Sequence, residues 1–293
     1  MLGPNPRWQR LPIVNAYPED IKTALPLINA EGWQYTSEEL ERMQRMDPEG
    51  TFFFVEDEPL AVVTCVTYGH TGVIGHLVVA KEARGRKIGQ SLLRRAIDYC
   101  EGAGAQSMIL YATSEGESLY RKFGFKVART TFGAQKAWSE EHIKSPSPCS
   151  MVKEEDLGEI CAIDARLFGD DRSKLLHLLY EEFPGHSWKL ERNGRLVGYA
   201  MGRKTNAGCD FGPWACLAGP KEDADLLMKA VLRSFGRSGD FFLGVFRDNT
   251  NAVEIFKTLP VVKEWTTTLM VRGANRYASE IEHSFGVAAF ELG

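Results

Sequence analysis

The feature that most constrains this chain is the stretch from Val73 to Leu93, where an apolar run passes through a basic turn into an amphipathic segment. Val73 to Val79 has the composition of a buried strand, and the residues after the turn repeat at the spacing of one helix face. Free N–H groups at a helix start, the helix dipole and nearby cations together favour a bound anion. The pattern therefore predicts a pyrophosphate site. The cations of the turn are Lys81, Arg84, Arg86 and Lys87.

The spacing within this turn matches a known signature. Val79 followed by Arg84, Gly85 and Gly89 resembles the acetyl-CoA motif of the GNAT acetyltransferase superfamily. Lys87 departs from that motif, because it stands where the middle glycine normally is. A side chain there could narrow the groove or could add a phosphate contact, and the sequence leaves both open. The resemblance implies acetyl-CoA as cosubstrate, held by Leu77, Val78, Val79, Arg84, Gly85, Arg86, Lys87, Ile88, Gly89, Thr113, Gly116 and Tyr120.

A second motif supports the same resemblance and implies a fold. A predicted helix contains Gly116, Leu119 and Tyr120 and ends at Gly124-Phe125, which is similar to the second superfamily signature. The predicted order, two helices, three strands, the basic turn, a helix, a strand and a helix, is also the superfamily order. The resemblance implies an α+β class with a mixed, mostly antiparallel sheet flanked by helices.

The second half of the chain repeats this order of elements. The polar, Pro- and Ser-rich stretch 139–150 is the best linker candidate. We predict two tandem domains, residues 1–138 and 151–293, joined by that linker. An internal repeat supports the division. The spacing of Thr113, Gly116, Leu119 and Tyr120 recurs at Asn249, Ala252, Ile255 and Phe256.

The second half differs from the first where a cosubstrate would bind. Its turn, residues 220–225, carries three carboxylates in place of the arginines, and these would repel a pyrophosphate. Phe256 stands in place of the tyrosine. We therefore expect the second domain to bind no CoA and to shape the substrate pocket, with a wall from its central strand around Asp210 to Trp214.

The resemblance also implies catalytic roles. The thioester carbonyl would be held by backbone N–H groups near Leu77 to Val79, and Tyr120 would protonate the leaving thiolate. The sequence leaves open which residue accepts the proton of the attacking amine. Many relatives carry a glutamate early in the central strand, but counting back from the motif places Val73 there. His76, on that strand, is one candidate base. Glu31, in an early loop, is a second candidate that could hold an ammonium group.

Composition narrows the functional class further. A chain of 293 residues suggests about two domains. The net charge of −4 argues against general nucleic-acid binding. The six cysteines and six histidines lack metal-ligand spacing, so we expect no metal site. The chain shows neither an apolar leader nor a run long enough to span a membrane, which indicates a cytoplasmic protein without membrane contact.

These observations lead to one functional hypothesis with open alternatives. We expect an N-acetyltransferase that moves an acetyl group from acetyl-CoA to a primary amine of a small metabolite by direct attack in a ternary complex. A protein lysine or N-terminus is the alternative acceptor. A non-catalytic acyl-CoA sensor is the alternative from another class. The sequence does not decide between a monomer and a homodimer.

Overall fold

The computed structural model describes residues 12–143, 148–206, 208–217, 220–277 and 279–293. Residues 1–11 of the predicted first domain and residues 144–147 of the predicted linker lie outside this description. The first half contains β1 (Ile13–Asn15), α1 (Ala24–Asn29), α2 (Ser37–Met46), β2 (Thr51–Val55), β3 (Pro59–Tyr68), β4 (Thr71–Val79), α3 (Ile88–Gly102), β5 (Ser107–Ala112), α4 (Glu117–Lys122) and β6 (Lys126–Ser139).

The second half follows the same order. It contains β7 (Ser150–Met151), α5 (Leu157–Phe168), α6 (Ser173–Glu182), β8 (Ser187–Arg192), β9 (Arg195–Thr205), β10 (Gly208–Cys216), α7 (Lys221–Ser234), β11 (Ser238–Phe246), α8 (Thr250–Phe256), β12 (Val261–Gly273) and β13 (Ser284–Gly286). Among the described residues, no helix combines the length and apolarity that crossing a membrane would require.

Local sequence explains several of these elements. A capping box starts α2, because the Thr36 hydroxyl accepts from the Glu39 N–H while the Glu39 carboxylate accepts from the Thr36 N–H. The β8–β9 hairpin turns at Asn193 and Gly194, which both have positive φ, as a two-residue hairpin turn of type I′ requires. The α3 helix buries the face that its spacing predicts, formed by Ile88, Leu92, Leu93, Ala96, Ile97 and Cys100.

The predicted fold class is confirmed. The strands form one sheet in the order β1-β2-β3-β4-β5-β12-β6-β11-β10-β9-β8-β7, with β13 beside β10. Only the pairs β4–β5 and β10–β11 are parallel, and the other pairs in the described chain are antiparallel. Helices cover the sheet, so the architecture is a mixed, mostly antiparallel sheet flanked by helices.

The two halves exchange one long strand each. The last strand of the second half, β12, pairs with β5 of the first half. In return, β6 of the first half pairs with β11 of the second along its whole inner length, from Thr131 to Ser139. The two exchanged strands also pair with each other at the centre of the sheet. Each half therefore depends on the other to complete its sheet.

This exchange changes the meaning of the predicted domain boundary. Neither β6 nor β12 is among the strands predicted from sequence, and the sheet hydrogen bonds cross from residues 1–138 to residues 151–293. The described part of the predicted linker is also ordered, because Ser139 ends β6 and residues 140–143 form a 3₁₀ turn that buries Ile143. The boundary between two tandem units remains a prediction about sequence, and the sheet does not divide there.

Both halves contain a pair of parallel strands that separate. In the first half, β4 and β5 pair only from Thr71 to Val73, and the remainder of β4 diverges from β5. In the second half, β10 and β11 pair only at Cys209 and Asp210. There, β13 enters the gap, because it pairs with β10 while the Val287 N–H donates to the Gly244 carbonyl of β11. The gap of the second half is thus filled by the chain itself.

The strand exchange predicts that the halves cannot be separated without unfolding. We expect a chain cleaved at a protease site introduced within residues 144–147 to elute as one folded particle on size exclusion and to separate only in denaturant. The fragment from residue 148 onward, expressed alone, should aggregate, because loss of β6 leaves the β11 edge unpaired. Two folded fragments that elute separately would contradict the exchange.

Candidate functional site

The central strand β4 carries a bulge at its middle. His76 has a φ of 45°, and the register with β3 shifts between Val62 and Thr64. Such a bulge aims consecutive side chains to one side and redirects the backbone groups that follow. Leu77, Val78 and Val79, the predicted carbonyl-holding residues, lie after the bulge, where β4 no longer pairs with β5. This part of β4 therefore borders the gap between β4 and β5.

The predicted phosphate site lies directly after β4. The N–H groups of residues 85–89 donate no hydrogen bond within the described chain, and the first turn of α3 begins at Ile88. Gly85 and Gly89 leave space above this turn, since a Cβ on Gly85 would meet no atom within 4 Å and one on Gly89 would make only ordinary contacts. Consecutive free N–H groups at the start of a 15-residue helix suit a phosphate anion.

Lys87 occupies this turn with an unusual backbone. It is the N-cap of α3 and has a φ of 63°, in the left-handed region that favours glycine. Gly85, two residues earlier, also has a positive φ of 81°. The conformation therefore explains why a glycine suits the position that Lys87 fills. The Lys87 side chain is exposed, and the N–H groups of residues 85–89 have no acceptor within the described chain.

The two arginines of the turn pair with carboxylates of neighbouring loops. Arg84 contacts Glu31 and donates from Nε to the Val79 carbonyl at 3.0 Å, and Arg86 contacts Glu56. Both arginines are exposed, so these ion pairs are weak and can exchange for another anion. Glu31 was a candidate for holding the acceptor ammonium. The structure instead places it against Arg84, at the phosphate side of the gap.

Tyr120 lies on α4 and packs on the same hydrophobic cluster as Leu77 and Val79 of β4. Its ring packs against Gly116, where a Cβ would approach it to 2.9 Å, and against the Phe125 ring at a centroid distance of 6.1 Å. Burial raises the pKa of Tyr120 to about 12. The phenol therefore keeps its proton through neutral pH, as a proton donor to a thiolate must. Thr113 accepts from the N–H groups of Gly116 and Glu117 and so starts the same helical turn.

His76 lies deep in the site and is neutral. Its Nδ1 is 3.0 Å from the Thr64 hydroxyl, and its Nε2 is buried without a hydrogen-bond partner among the described residues. Burial lowers the pKa of His76 to about 3. This argues against the predicted role of His76 as proton acceptor, because a base of so low a pKa holds a proton poorly at neutral pH. The ring instead packs against Tyr35, at a centroid distance of 4.4 Å.

A carboxyl group that the sequence analysis did not assign a role stands beside His76. Glu291, near the end of the described chain, accepts a hydrogen bond of 2.7 Å from the Tyr35 hydroxyl. Its Cβ lies 2.7 Å from the position that a Cβ on Gly75 would occupy. Burial raises the pKa of Glu291 to about 7. No local pattern singles this residue out, because its neighbours on β4 and in the loop before α2 are distant in sequence.

Two charged residues of the second half lie close to Glu291. Asp210 on β10 pairs with the buried Arg203 of β9 at 3.0 Å, and both act electrostatically on Glu291. Trp214, expected at the other end of this wall, lies elsewhere. Its indole is buried in the core of the second half and donates to the Ala224 carbonyl at 3.1 Å. Of the two ends of the predicted wall, Asp210 acts on Glu291 and Trp214 lies in the core of the second half.

In the corresponding turn of the second half, described from Pro220 onward, several charged side chains form ion pairs. Asp223 pairs with Arg192 at 2.5 Å and Asp225 with Lys229 at 2.6 Å, while Lys221 contacts Glu254. The gap between β10 and β11 holds β13. A pyrophosphate and an extended thiol arm would meet carboxylates and a strand there.

Within the described ranges, no group of three or more His, Cys, Asp or Glu side chains has the arrangement of a metal site.

Comparisons with known proteins agree with this architecture. A model of the acetyltransferase (GNAT) family matches residues 17–125, and a model of an acetyltransferase (GNAT) domain matches residues 160–286. The two matches lie on the two halves of the sheet. The curated protein YitH of Bacillus subtilis, an uncharacterized N-acetyltransferase, is 27% identical over 210 residues, which are 69% of this chain and 71% of YitH.

Solved structures share the fold across nearly the whole chain. An acetyltransferase-like protein from Pyrococcus horikoshii superposes with a TM-score of 0.79 at 21% identity, over 96% of this chain and 95% of its own. A tandem GNAT protein from the clavulanic acid biosynthesis pathway superposes with a TM-score of 0.60 at 13% identity, over 89% and 98%. The chain belongs to the GNAT acetyltransferase family and carries two of its domains in tandem.

Proposed function

We propose that the first half binds acetyl-CoA and transfers its acetyl group to a primary amine of a small metabolite by direct attack in a ternary complex. The observation that carries the proposal is the turn of residues 85–89. Its N–H groups have no acceptor within the described chain, and they follow the part of β4 that no longer pairs with β5. Tyr120 packs on the same hydrophobic cluster as Leu77 and Val79 of that strand. Members of the GNAT family use acetyl-CoA, and this arrangement fits its pyrophosphate and thioester arm.

Each part of the site would then have a separate task. The turn of residues 85–89 holds the pyrophosphate, aided by Arg84 and Arg86 once they release Glu31 and Glu56. The unpaired edge of β4 after His76 offers backbone N–H groups to the thioester oxygen, which becomes more negative during attack. Tyr120 gives its proton to the sulfur as the C–S bond breaks. Its raised pKa keeps that proton in place until then.

The proposal assigns one cosubstrate site to each chain. In the second half, β13 fills the gap between β10 and β11, and acidic residues begin α7. This half would act on the acceptor side instead, through Asp210 and the residues that follow β13. The acceptor region lies between these residues, the loop before α2 and the bulge of β4. Side chains from four segments crowd it, which favours a small amine over a folded protein surface.

Acetyl-CoA titration tests the binding proposal. We expect calorimetry on the full chain to show one site, and Arg84→Ala with Arg86→Ala to weaken binding about tenfold or more for each lost charged contact. Lys221→Ala, at the matching turn of the second half, is the control and should leave the affinity unchanged. Two sites per chain would contradict the assignment of the second half, and no binding would overturn the proposal.

Tyr120 distinguishes a catalyst from an acyl-CoA sensor. Tyr120→Phe should lower kcat by about 100-fold or more, as loss of a general acid does, while acetyl-CoA affinity stays unchanged. Thiol release with a panel of small primary amines (1,4-diaminobutane, lysine, glucosamine) measures this. Tyr17→Phe, at an exposed tyrosine, serves as the control. A wild-type protein that binds acetyl-CoA but acetylates no amine would indicate the sensor.

The high pKa of Tyr120 also predicts the alkaline side of the pH profile. Since the folded-state pKa is about 12, the phenol remains protonated well above neutral pH. We therefore expect no loss of kcat from this group between pH 7 and pH 9. A decline over that range that Tyr120→Phe abolishes would show that the phenol ionises early and would remove it as the proton donor.

A further inference from the structure

The segment after β13 docks across both halves of the molecule. The Arg203 guanidinium of the second half donates to the Ala288 carbonyl at 2.8 Å, and the Tyr68 hydroxyl of the first half donates to the Leu292 carbonyl at 3.1 Å. Arg172 holds the Gly293 carbonyl. The segment closes on itself, since the Ala288 N–H donates to the Gly293 carbonyl. These contacts fix the backbone of residues 288–293, which we call the docked segment.

The docked segment brings a carboxylate onto the central strand. Glu291 lies over Gly75, directly before the bulge at His76, and the position that a Cβ on Gly75 would take is 2.7 Å from the Glu291 Cβ and 3.1 Å from its Cα. Thr64 is as close to that position, at 3.1 Å from its hydroxyl. Gly75 is therefore required at this point, because any side chain would displace Glu291. A distant segment supplies the acidic group that β4 itself lacks.

We propose that Glu291 is the catalytic residue that accepts the proton of the attacking amine. The proposal rests on the proposed function, since it concerns the acceptor side of the same site. Glu291 is buried beside the bulge of β4 at His76, past the point where β4 stops pairing with β5, and the Tyr35 hydroxyl fixes the orientation of its carboxylate. The earlier candidates fit the acceptor side less well, because Glu31, the candidate for holding the ammonium, contacts Arg84, and burial disfavours the protonated form of His76.

The groups around Glu291 set its proton affinity in opposite directions. Burial raises the pKa of Glu291 most, and the negative charge of Asp210 on β10 raises it further. The hydrogen bond from Tyr35, in the loop before α2, and the positive charge of Arg203 on β9 lower it. His76 on β4 is neutral. Glu39 on α2 acts electrostatically on Tyr35 and is itself affected by Asp210.

In the proposed reaction the acceptor nitrogen loses two protons and the sulfur gains one. The acceptor ammonium gives one proton to the Glu291 carboxylate, and the freed nitrogen lone pair forms the C–N bond to the thioester carbon. The C–S bond breaks and the sulfur takes the Tyr120 proton. The second proton that nitrogen loses restores Tyr120, directly or through water. Glu291 then releases its proton to solvent, so one proton leaves for each amide formed.

The test is the pH dependence of kcat/KM in paired variants, measured by thiol release with the same amine panel. Glu291→Gln should lower kcat/KM by about 100-fold or more, as loss of a general base does, and should abolish a limb that rises through pH 7 in the wild type. Deprotonation of the amine substrate itself also makes kcat/KM rise with pH. That rise should be present in both the wild type and Glu291→Gln. Glu282→Gln, an exposed carboxylate close in sequence, should match the wild type.

Two neighbouring substitutions should move this limb in opposite directions. Tyr35→Phe removes the hydrogen bond that lowers the Glu291 pKa, so the limb should shift to higher pH. Asp210→Asn removes the negative charge that raises that pKa, so the limb should shift to lower pH. A carboxylate with a merely structural role would produce neither shift, since its ionisation would not appear in the rate.

Stability measurements provide a readout that does not need turnover. Because burial raises the folded-state pKa of Glu291 above its usual value of 4.5 to about 7, its contribution to stability falls as pH rises across that range. The Tm of Glu291→Gln relative to that of the wild type should therefore rise between pH 4.5 and pH 7.5. A constant difference would show that Glu291 ionises normally and would overturn the proposal.

The outcomes separate this proposal from the function on which it rests. Acetyl-CoA binding and turnover that Tyr120→Phe removes, together with an unchanged limb in Glu291→Gln, would overturn the role of Glu291 alone. A wild-type protein that acetylates no amine would overturn both proposals. Unchanged acetyl-CoA affinity in Glu291→Gln excludes misfolding as the cause of lost activity.

Discussion

The reciprocal pairing of β6 and β12 is the constraint on which the rest of the structure depends. Each strand completes the sheet of the other half, so the hydrogen bonds that join the halves are the same kind as those within them. A rigid centre of this kind fixes β5 relative to β11, and with them the parallel neighbours β4 and β10. The residues that meet near Glu291 come from both halves. Their relative positions therefore depend on the exchange.

The two halves use the same strand geometry in different ways. Both contain parallel central strands that pair briefly and then separate. In the first half the gap stays next to a turn with free N–H groups, whereas in the second half β13 pairs into the gap and carboxylates replace the arginines. Under the proposed function, the first half would hold the cosubstrate and the second half would support the acceptor side. The segment that follows β13 then continues onto the first half and carries Glu291 with it.

Much of the fold and part of the site could be predicted, because the signals are local. The helix faces, the turn at Asn193-Gly194 and the glycine-rich turn before α3 each depend on residues close in sequence. The tandem family resemblance is confirmed by matches to both halves. The roles of Tyr120 and of residues 84–89 stay predictions, although the structure places Leu119 of α4 next to Gly89 at the start of α3. Glu31 and His76 were candidates from their positions in sequence. The ion pair with Arg84 argues against the role of Glu31, and burial, which lowers the pKa of His76, argues against that of His76.

The sequence by itself determined the family and the fold class, and it predicted the turn at which an anion would bind, since short-range spacing encodes all three. Only the tertiary structure decided which strands pair across the halves and which carboxyl group reaches the bulge of β4. Glu291 lies more than two hundred residues from Gly75 along the chain, and nothing in either segment indicates their contact. Its pKa is likewise a tertiary property, because it arises from burial together with Tyr35, Asp210 and Arg203, which come from three separate elements.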